Sequence, residues 1–187
     1  MTVALAVHKN QRIILAADTL VHYGGQRFPQ ENCRIQKIYR VGNSVLAWAG
    51  WSLYAELLDA YFAAEQPPDL VSERAVFSFF IRFWRSLRDD YTFLSRRTPT
   101  DSHPFVDLDS TFLIANRGGI FRVSGDMDVT YFQHYCAIGS GAQYALGALR
   151  ILYDECEDPW EMARRAAQVG IDFNVYCDGE IDMIELE

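Results

Sequence analysis

The sequence predicts an α+β domain of the four-layer αββα type: two antiparallel sheets face to face, with a helix pair covering each outer side. Three observations predict it. Read by apolar periodicity, the elements run hairpins, two helices, hairpins, two helices and a last strand. No linker and no sequence repeat divides the chain, so residues 1–187 form a single domain long enough for a sizeable core. Half of the residues are hydrophobic and 14% aromatic, the composition of a globular chain rather than a disordered one.

The elements follow in order. Val3, Leu5 and Val7 alternate with Thr2, Ala4, Ala6 and His8 as in a strand. Asn10-Gln11 turns the chain, and Arg12 to Ala17 is an apolar partner strand. The pattern starts at the second residue, so Thr2 is expected in a sheet although chain ends usually fray. His22 to Asn32 is turn-rich, Cys33 to Val41 reads as a strand, Gly42-Asn43 as a hairpin turn and Ser44 to Ala49 as the return strand, broken by Gly50. Trp51 to Glu65 reads as a helix ended by Pro67-Pro68; Asp69 reads as the N-cap of a second helix to about Leu94. Residues 96–109 read as a loop. Ser110 to Ala115 and Ile120 to Val123 form a hairpin around Asn116-Arg117-Gly118-Gly119, with more β structure to Ile138. Gly139-Ser140-Gly141 opens a third helix, to about Asp154. Asp158-Pro159-Trp160-Glu161 opens a fourth, to about Ile171, with Asp at the N-cap, Pro at the first position and Glu where a capping box places it. Residues 180–186 alternate as a last strand.

Composition excludes several functions. A net charge of −8 argues against a general nucleic-acid binder. No apolar run approaches the roughly 18 residues of a membrane span, and the start lacks the basic and apolar regions of a signal peptide. Cys33, Cys136, Cys156 and Cys177 are widely spaced without a CxxC pair, as in a reduced cytoplasmic protein. The chain holds two lysines, Lys9 and Lys37, against fifteen arginines, so a retained lysine marks a place where arginine does not serve.

Five residues can carry chemistry. Removal of Met1, which needs a small second residue, leaves Thr2 with a hydroxyl nucleophile and a free α-amine. That amine has a reference pKa of about 7.7–8.0, suited to a general base. The alternative is an ordinary Thr at a chain start. Alternation puts Lys37 on the apolar face with Ile35, Tyr39 and Val41, partly desolvated and able to exchange a proton as arginine cannot; the alternative is a lysine snorkelling at a strand edge. Asp18 closes the first hairpin and either pairs with Lys37 or caps the next turn. Ser140, with Gln143 three residues on, fits a capping box; the same helix start can present its hydroxyl to a nucleophile. Gly50 either turns the chain or lets its N–H face a substrate carbonyl as an oxyanion hole does.

Taken together in this order, the residues resemble the proteasome β-subunit and HslV peptidase family of N-terminal-nucleophile hydrolases. The matching stretches are Thr2-Val3, Leu15-Ala16-Ala17-Asp18, Ile35-Gln36-Lys37-Ile38, Ala49-Gly50, and Ala137-Ile138-Gly139-Ser140-Gly141 with Tyr144-Ala145-Leu146-Gly147-Ala148. The resemblance implies the αββα sandwich and a threonine peptidase, with no metal or cofactor. Thr2 would be the nucleophile, Asp18 and Lys37 the charged pair beside it, Ser140 an aid at the amine and the Gly50 N–H the oxyanion donor. Val21, Ile35 and Trp48 fall near positions that line the family's primary specificity pocket. The implied partners are further copies of the chain in a ring or related oligomer, unfolded polypeptide substrates and an ATP-dependent unfoldase. The sequence departs from the proteasome's Asp-x-x-Ser-Gly pattern, a segment at which HslV also varies, and carries Asn174 and Cys177 in Asn174-Val175-Tyr176-Cys177-Asp178-Gly179. Two alternatives keep the fold: an N-terminal-nucleophile amidase acting on small amides, and a catalytically silent assembly subunit.

Overall fold

The structure, a computed structural model, describes residues 2–23, 26–28, 32–33, 35–65, 68–91, 108 and 110–186. In chain order it runs β1 (Ala4–Lys9), β2 (Arg12–Asp18), β3 (Val21–Tyr23), β4 (Gln26–Phe28), β5 (Ile38–Val41), β6 (Ser44–Gly50), α1 (Leu53–Ala64) and α2 (Glu73–Asp90). The second half runs β7 (Ser110–Asn116), β8 (Gly119–Val123), β9 (Val129–Phe132), β10 (Tyr135–Ile138), α3 (Ala142–Glu155), α4 (Pro159–Phe173) and β11 (Ile181–Leu186). One antiparallel sheet has the order β10-β1-β2-β11, the other β5-β6-β7-β8-β9, and β3-β4 is a separate ribbon.

Residue parity builds the layers. Val3, just ahead of β1, and the odd positions Leu5 and Val7 on it pack under α3 and α4 with Ala145, Leu149, Met162, Ala163 and Ala166. The even positions Ala4 and Ala6 face the second sheet, meeting Ala47, Ala49, Leu113 and Ala115. β1 is therefore buried on both faces and paired on both edges, and residues 3–7 have no exposed surface. The other outer layer is aromatic. Val76, Phe79, Phe80, Phe83 and Leu87 recur at helical spacing along α2 and bury against α1 and the second sheet, with Phe79 stacked on Phe83 at 6.0 Å and Phe80 against Phe112 at 4.8 Å. The result is the expected αββα sandwich.

Local features follow sequence chemistry. Asn10 and Gln11 both have positive φ, +54° and +62°, the geometry of a two-residue hairpin turn that matches strand twist. Asp158 caps α4, accepting from the Trp160 N–H at 3.2 Å, with Pro159 in the first turn. The anticipated capping box does not close, because the Glu161 carboxylate is taken by Arg164 at 2.8 Å on both oxygens.

Other expectations are corrected. The strand expected from Cys33 starts only at Ile38. Ile35, Tyr39 and Val41 face the α1–α2 layer as alternation requires, but Lys37 leaves that face and crosses toward the other sheet. The N-cap of α2 is Ser72, whose hydroxyl accepts from the Ala75 N–H at 3.3 Å, not Asp69. Asp69 stays outside the helix because Leu70 is fully buried and its carbonyl accepts from Asn116 Nδ2 at 2.8 Å. The turn-rich stretch after His22 contains the β3–β4 ribbon, and its Gly24-Gly25 and Pro29 lie outside the described residues. So do Pro67, residues 92–94 at the expected end of the second helix, and all of the expected 96–109 loop but Leu108. No described helix is long and apolar enough to cross a membrane.

Candidate active site

The site gathers at the head of β1, where Thr2 is buried at 2% exposure. β2 returns beside it and ends at Asp18, whose N–H donates to the Val3 carbonyl at 3.1 Å. The Asp18 side chain turns inward. Its Oδ1 accepts the Val3 N–H at 2.9 Å and Lys37 Nζ at 2.9 Å; Oδ2 accepts the Asp178 N–H at 3.3 Å. Both partners of the Lys37–Asp18 ion pair are out of water, their side chains 5% and 0% exposed. Burial pushes the Asp18 carboxyl above its ordinary value, and the Lys37 charge and the Val3 and Leu20 N–H groups pull against that rise. This buried cation sits one residue from Thr2 along the chain of bonds Lys37, Asp18, Val3.

The turn from β10 into α3 grips Thr2 from the other side. Gly139 has φ +90°, and a Cβ there would lie 2.1 Å from the Thr2 carbonyl oxygen and 3.3 Å from Ala49 Cβ, so only glycine fits. The Gly141 N–H donates to the Thr2 carbonyl at 3.3 Å, and Ser140 Oγ lies 3.5 Å from the same oxygen. Gly141, not Ser140, is the N-cap of α3, so the capping box expected of Ser140 does not form. Its hydroxyl instead meets Asn174 Oδ1 at 3.3 Å and Cys177 Sγ at 3.7 Å. Burial pushes the Cys177 thiol up to about 11, so it remains a neutral S–H.

The structure thus joins Thr2, Asp18, Lys37 and Ser140 through backbone and side-chain contacts. Gly50 is the exposed last residue of β6, paired with Ser110 at φ +148°; its neighbour Ala49 lies against Gly139 beneath Thr2. Trp48 lies in the core of the α1–α2 layer and Ile35 packs against that core, while Val21 is buried at the start of β3. Sequence reading gives no role to Gly139 or to the Asp178 N–H. The positive φ of Gly139 is hinted at by its Gly-Ser-Gly run, but a backbone donor such as Asp178 N–H carries no residue-type signal. Loop 174–179 is held in turn by Thr19 Oγ1, which donates to the Glu180 carbonyl at 3.1 Å and blocks any Cβ at Gly179, and by an Arg27–Asp178 ion pair from β4. Among the described residues no group of three or more His, Cys, Asp or Glu side chains could hold a metal ion.

No family model matches the chain. It is 31% identical to the ATP-dependent protease subunit HslV of Hyphomonas neptunium, covering 100% of this chain and 92% of that protein. Thiobacillus denitrificans BPH, solved in complex with Epoxomicin, superposes with a TM-score of 0.89 at 29% identity, covering 99% of this chain and 98% of that one. HslV from Trypanosoma brucei shares the fold at a TM-score of 0.68 and 20% identity, covering 99% of each chain. Sequence identity spread over the whole chain and near-coincident backbones lead to one conclusion: this chain belongs to the HslV family of proteasome-like threonine peptidases.

Proposed function

We propose that this protein cleaves peptide bonds with Thr2, after removal of Met1, as one subunit of a self-compartmentalising assembly. Thr2 Oγ1 attacks the scissile carbonyl carbon while the α-amine of the same residue takes the hydroxyl proton. The amine passes that proton to the leaving nitrogen, and an ester to Thr2 remains. Water then attacks the ester, again giving its proton to the amine, and the acid product leaves with Thr2 regenerated. The Gly50 N–H faces the developing oxyanion. The Lys37 ammonium, held by Asp18, favours the deprotonated forms of hydroxyl and amine beside it. Ser140 steadies the amine. Val21, Ile35 and Trp48 border the pocket for the substrate side chain.

The observation that carries this reading is the buried Lys37–Asp18 pair bonded to the Val3 N–H. A desolvated ion pair is a poor stabiliser compared with apolar packing, and this one is spent at the head of the strand that carries Thr2. A single domain over residues 1–187 is supported by the shared cores between β1 and both neighbouring layers. Self-association and an ATP-dependent unfoldase that delivers unfolded chain are supported by the relative named as an ATP-dependent protease subunit. An apolar strip across α3 and α4, with Ile151 and Phe173 exposed, is surface of the kind association covers. A cytoplasmic setting is supported by the four cysteines, all free thiols.

The test is intact mass before and after incubation with a peptidyl epoxyketone. Loss of Met1 and one adduct at Thr2, absent in Thr2→Ala, are expected. Retention of Met1 in the native host, or peptide cleavage by Thr2→Ala, overturns the mechanism. Light scattering of the same sample reports the assembly.

A further inference from the structure

We infer that Asn174 is a positioning residue that acts on Thr2 through Ser140, in a way that a carboxylate at the same place cannot. The inference rests on Thr2 being the nucleophile. Asn174 ends α4. Its Nδ2 donates to the Ser140 carbonyl at 2.7 Å, and its Oδ1 accepts the Tyr176 N–H at 3.0 Å. These partners fix the amide, since a carbonyl only accepts and a backbone N–H only donates. Turned over, the amide would set oxygen against oxygen and donor against donor.

With Oδ1 so fixed, it lies 3.3 Å from Ser140 Oγ. Ser140 has one hydroxyl proton and two oxygen acceptors in reach, with the weakly accepting Cys177 sulfur farther off at 3.7 Å. The Thr2 carbonyl is the farther oxygen, at 3.5 Å, and already takes the Gly141 N–H. The proton therefore goes to Asn174, and the Ser140 lone pairs are left free to accept from the Thr2 amine. Cys177 donates its S–H to Asn174 Oδ1 at 3.7 Å and lies the same distance from Ser140 Oγ, a second neutral group on the same oxygen. Every member is uncharged, so among the described residues the carboxylate bonded at the head of β1 is that of Asp18. The proteasome pattern carries Asp where this chain has Asn174. Here a carboxylate would face the Ser140 carbonyl oxygen at 2.7 Å with no proton between them. Asn174→Asp, although it supplies the residue of the proteasome pattern, is thus expected to impair this enzyme.

The experiment measures cleavage of a fluorogenic peptide and the rate of Thr2 labelling by an epoxyketone, on the assembled protein. Asn174→Asp is expected to lower kcat about tenfold or more near neutral pH, with KM changed less than about twofold. Asn174→Ala lowers kcat less, and Ser140→Ala/Asn174→Ala is no slower than Ser140→Ala alone, the signature of a residue acting through Ser140. Asn174→Asp as fast as the unsubstituted enzyme overturns the inference, and so does a double variant slower than Ser140→Ala. If Asn174→Asp does not fold, Asn174→Ala decides: an unchanged kcat overturns the inference. Unsubstituted enzyme that fails to label at Thr2 overturns the nucleophile assignment and this inference together. Normal labelling with an equally fast Asn174→Asp overturns this inference alone.

Discussion

Asp18→Asn removes one charge from the buried pair and keeps its shape. Lys37 is then left with its side chain 5% exposed and no carboxylate at 2.9 Å. Breaking a buried ion pair from one side costs about 3–5 kcal/mol, because the remaining charge is uncompensated. Against a total stability of about 5–15 kcal/mol for a domain, that is a large fraction. For a chain of this size each kcal/mol moves the melting temperature by about 2–4 °C, so a fall of roughly 6–20 °C is expected. The assay is urea and thermal unfolding at fixed protein concentration, since assembly raises apparent stability. The control is Asp18→Asn/Lys37→Met, which removes both charges and refills the space with apolar atoms. It is expected to recover most of the lost stability while remaining inactive. An Asp18→Asn variant within about 1 kcal/mol of the parent, or a double variant as unstable as the single, would refute the argument that the pair is costly to split.

Lys37→Met alone leaves the buried carboxylate unpaired, and the sign of its pH dependence follows from burial raising the Asp18 carboxyl. Folding then binds a proton there, so the stability deficit of Lys37→Met relative to the parent grows as pH rises above the ordinary aspartate value of about 3.9, which unfolding measured at a series of pH values above it checks. Lys37→Arg keeps the charge but not the compact ammonium and is expected to be nearly inactive in peptide cleavage. Gly139→Ala places a methyl 2.1 Å from the Thr2 carbonyl at positive φ, costing about 1–3 kcal/mol by denaturant titration and most of the activity. Cys177 is 3% exposed with its thiol pushed up to about 11, so iodoacetamide is expected to leave it unmodified in the folded protein, as peptide mass mapping would show.

The hairpin-and-helix-pair order was legible because each strand and helix has its own apolar period, and the parity of β1 alone assigns Val3, Leu5 and Val7 to one layer and Ala4 and Ala6 to the next. Scarcity of lysine singled out both informative positions. Lys37 reaches Asp18; Lys9 donates to the Tyr153 and Cys156 carbonyls at 2.8 and 2.9 Å and to Glu157 at 3.2 Å, three acceptors for three ammonium hydrogens. What alternation cannot reveal is where a strand is interrupted to serve a contact in the other sheet, so the face of Lys37 is misread while its partner is not. Ser140 shows the same limit. Its spacing to Gln143 fits a cap, but Gly141 takes that position and Asn174, thirty-four residues away, claims the hydroxyl. Local spacing does not report such distant partners.

β1, held on four sides up to Val3, is also built in a way that is expected to stop exopeptidases. The Thr2–Val3 peptide is buried, its N–H is on Asp18 and the Thr2 carbonyl on Gly141. An aminopeptidase that clears a residue ahead of Thr2 meets no further extended chain to grip, because reaching the next bond means pulling a strand out of the middle of a sheet. The packing that orders Thr2 therefore also shields the Thr2–Val3 bond from such trimming.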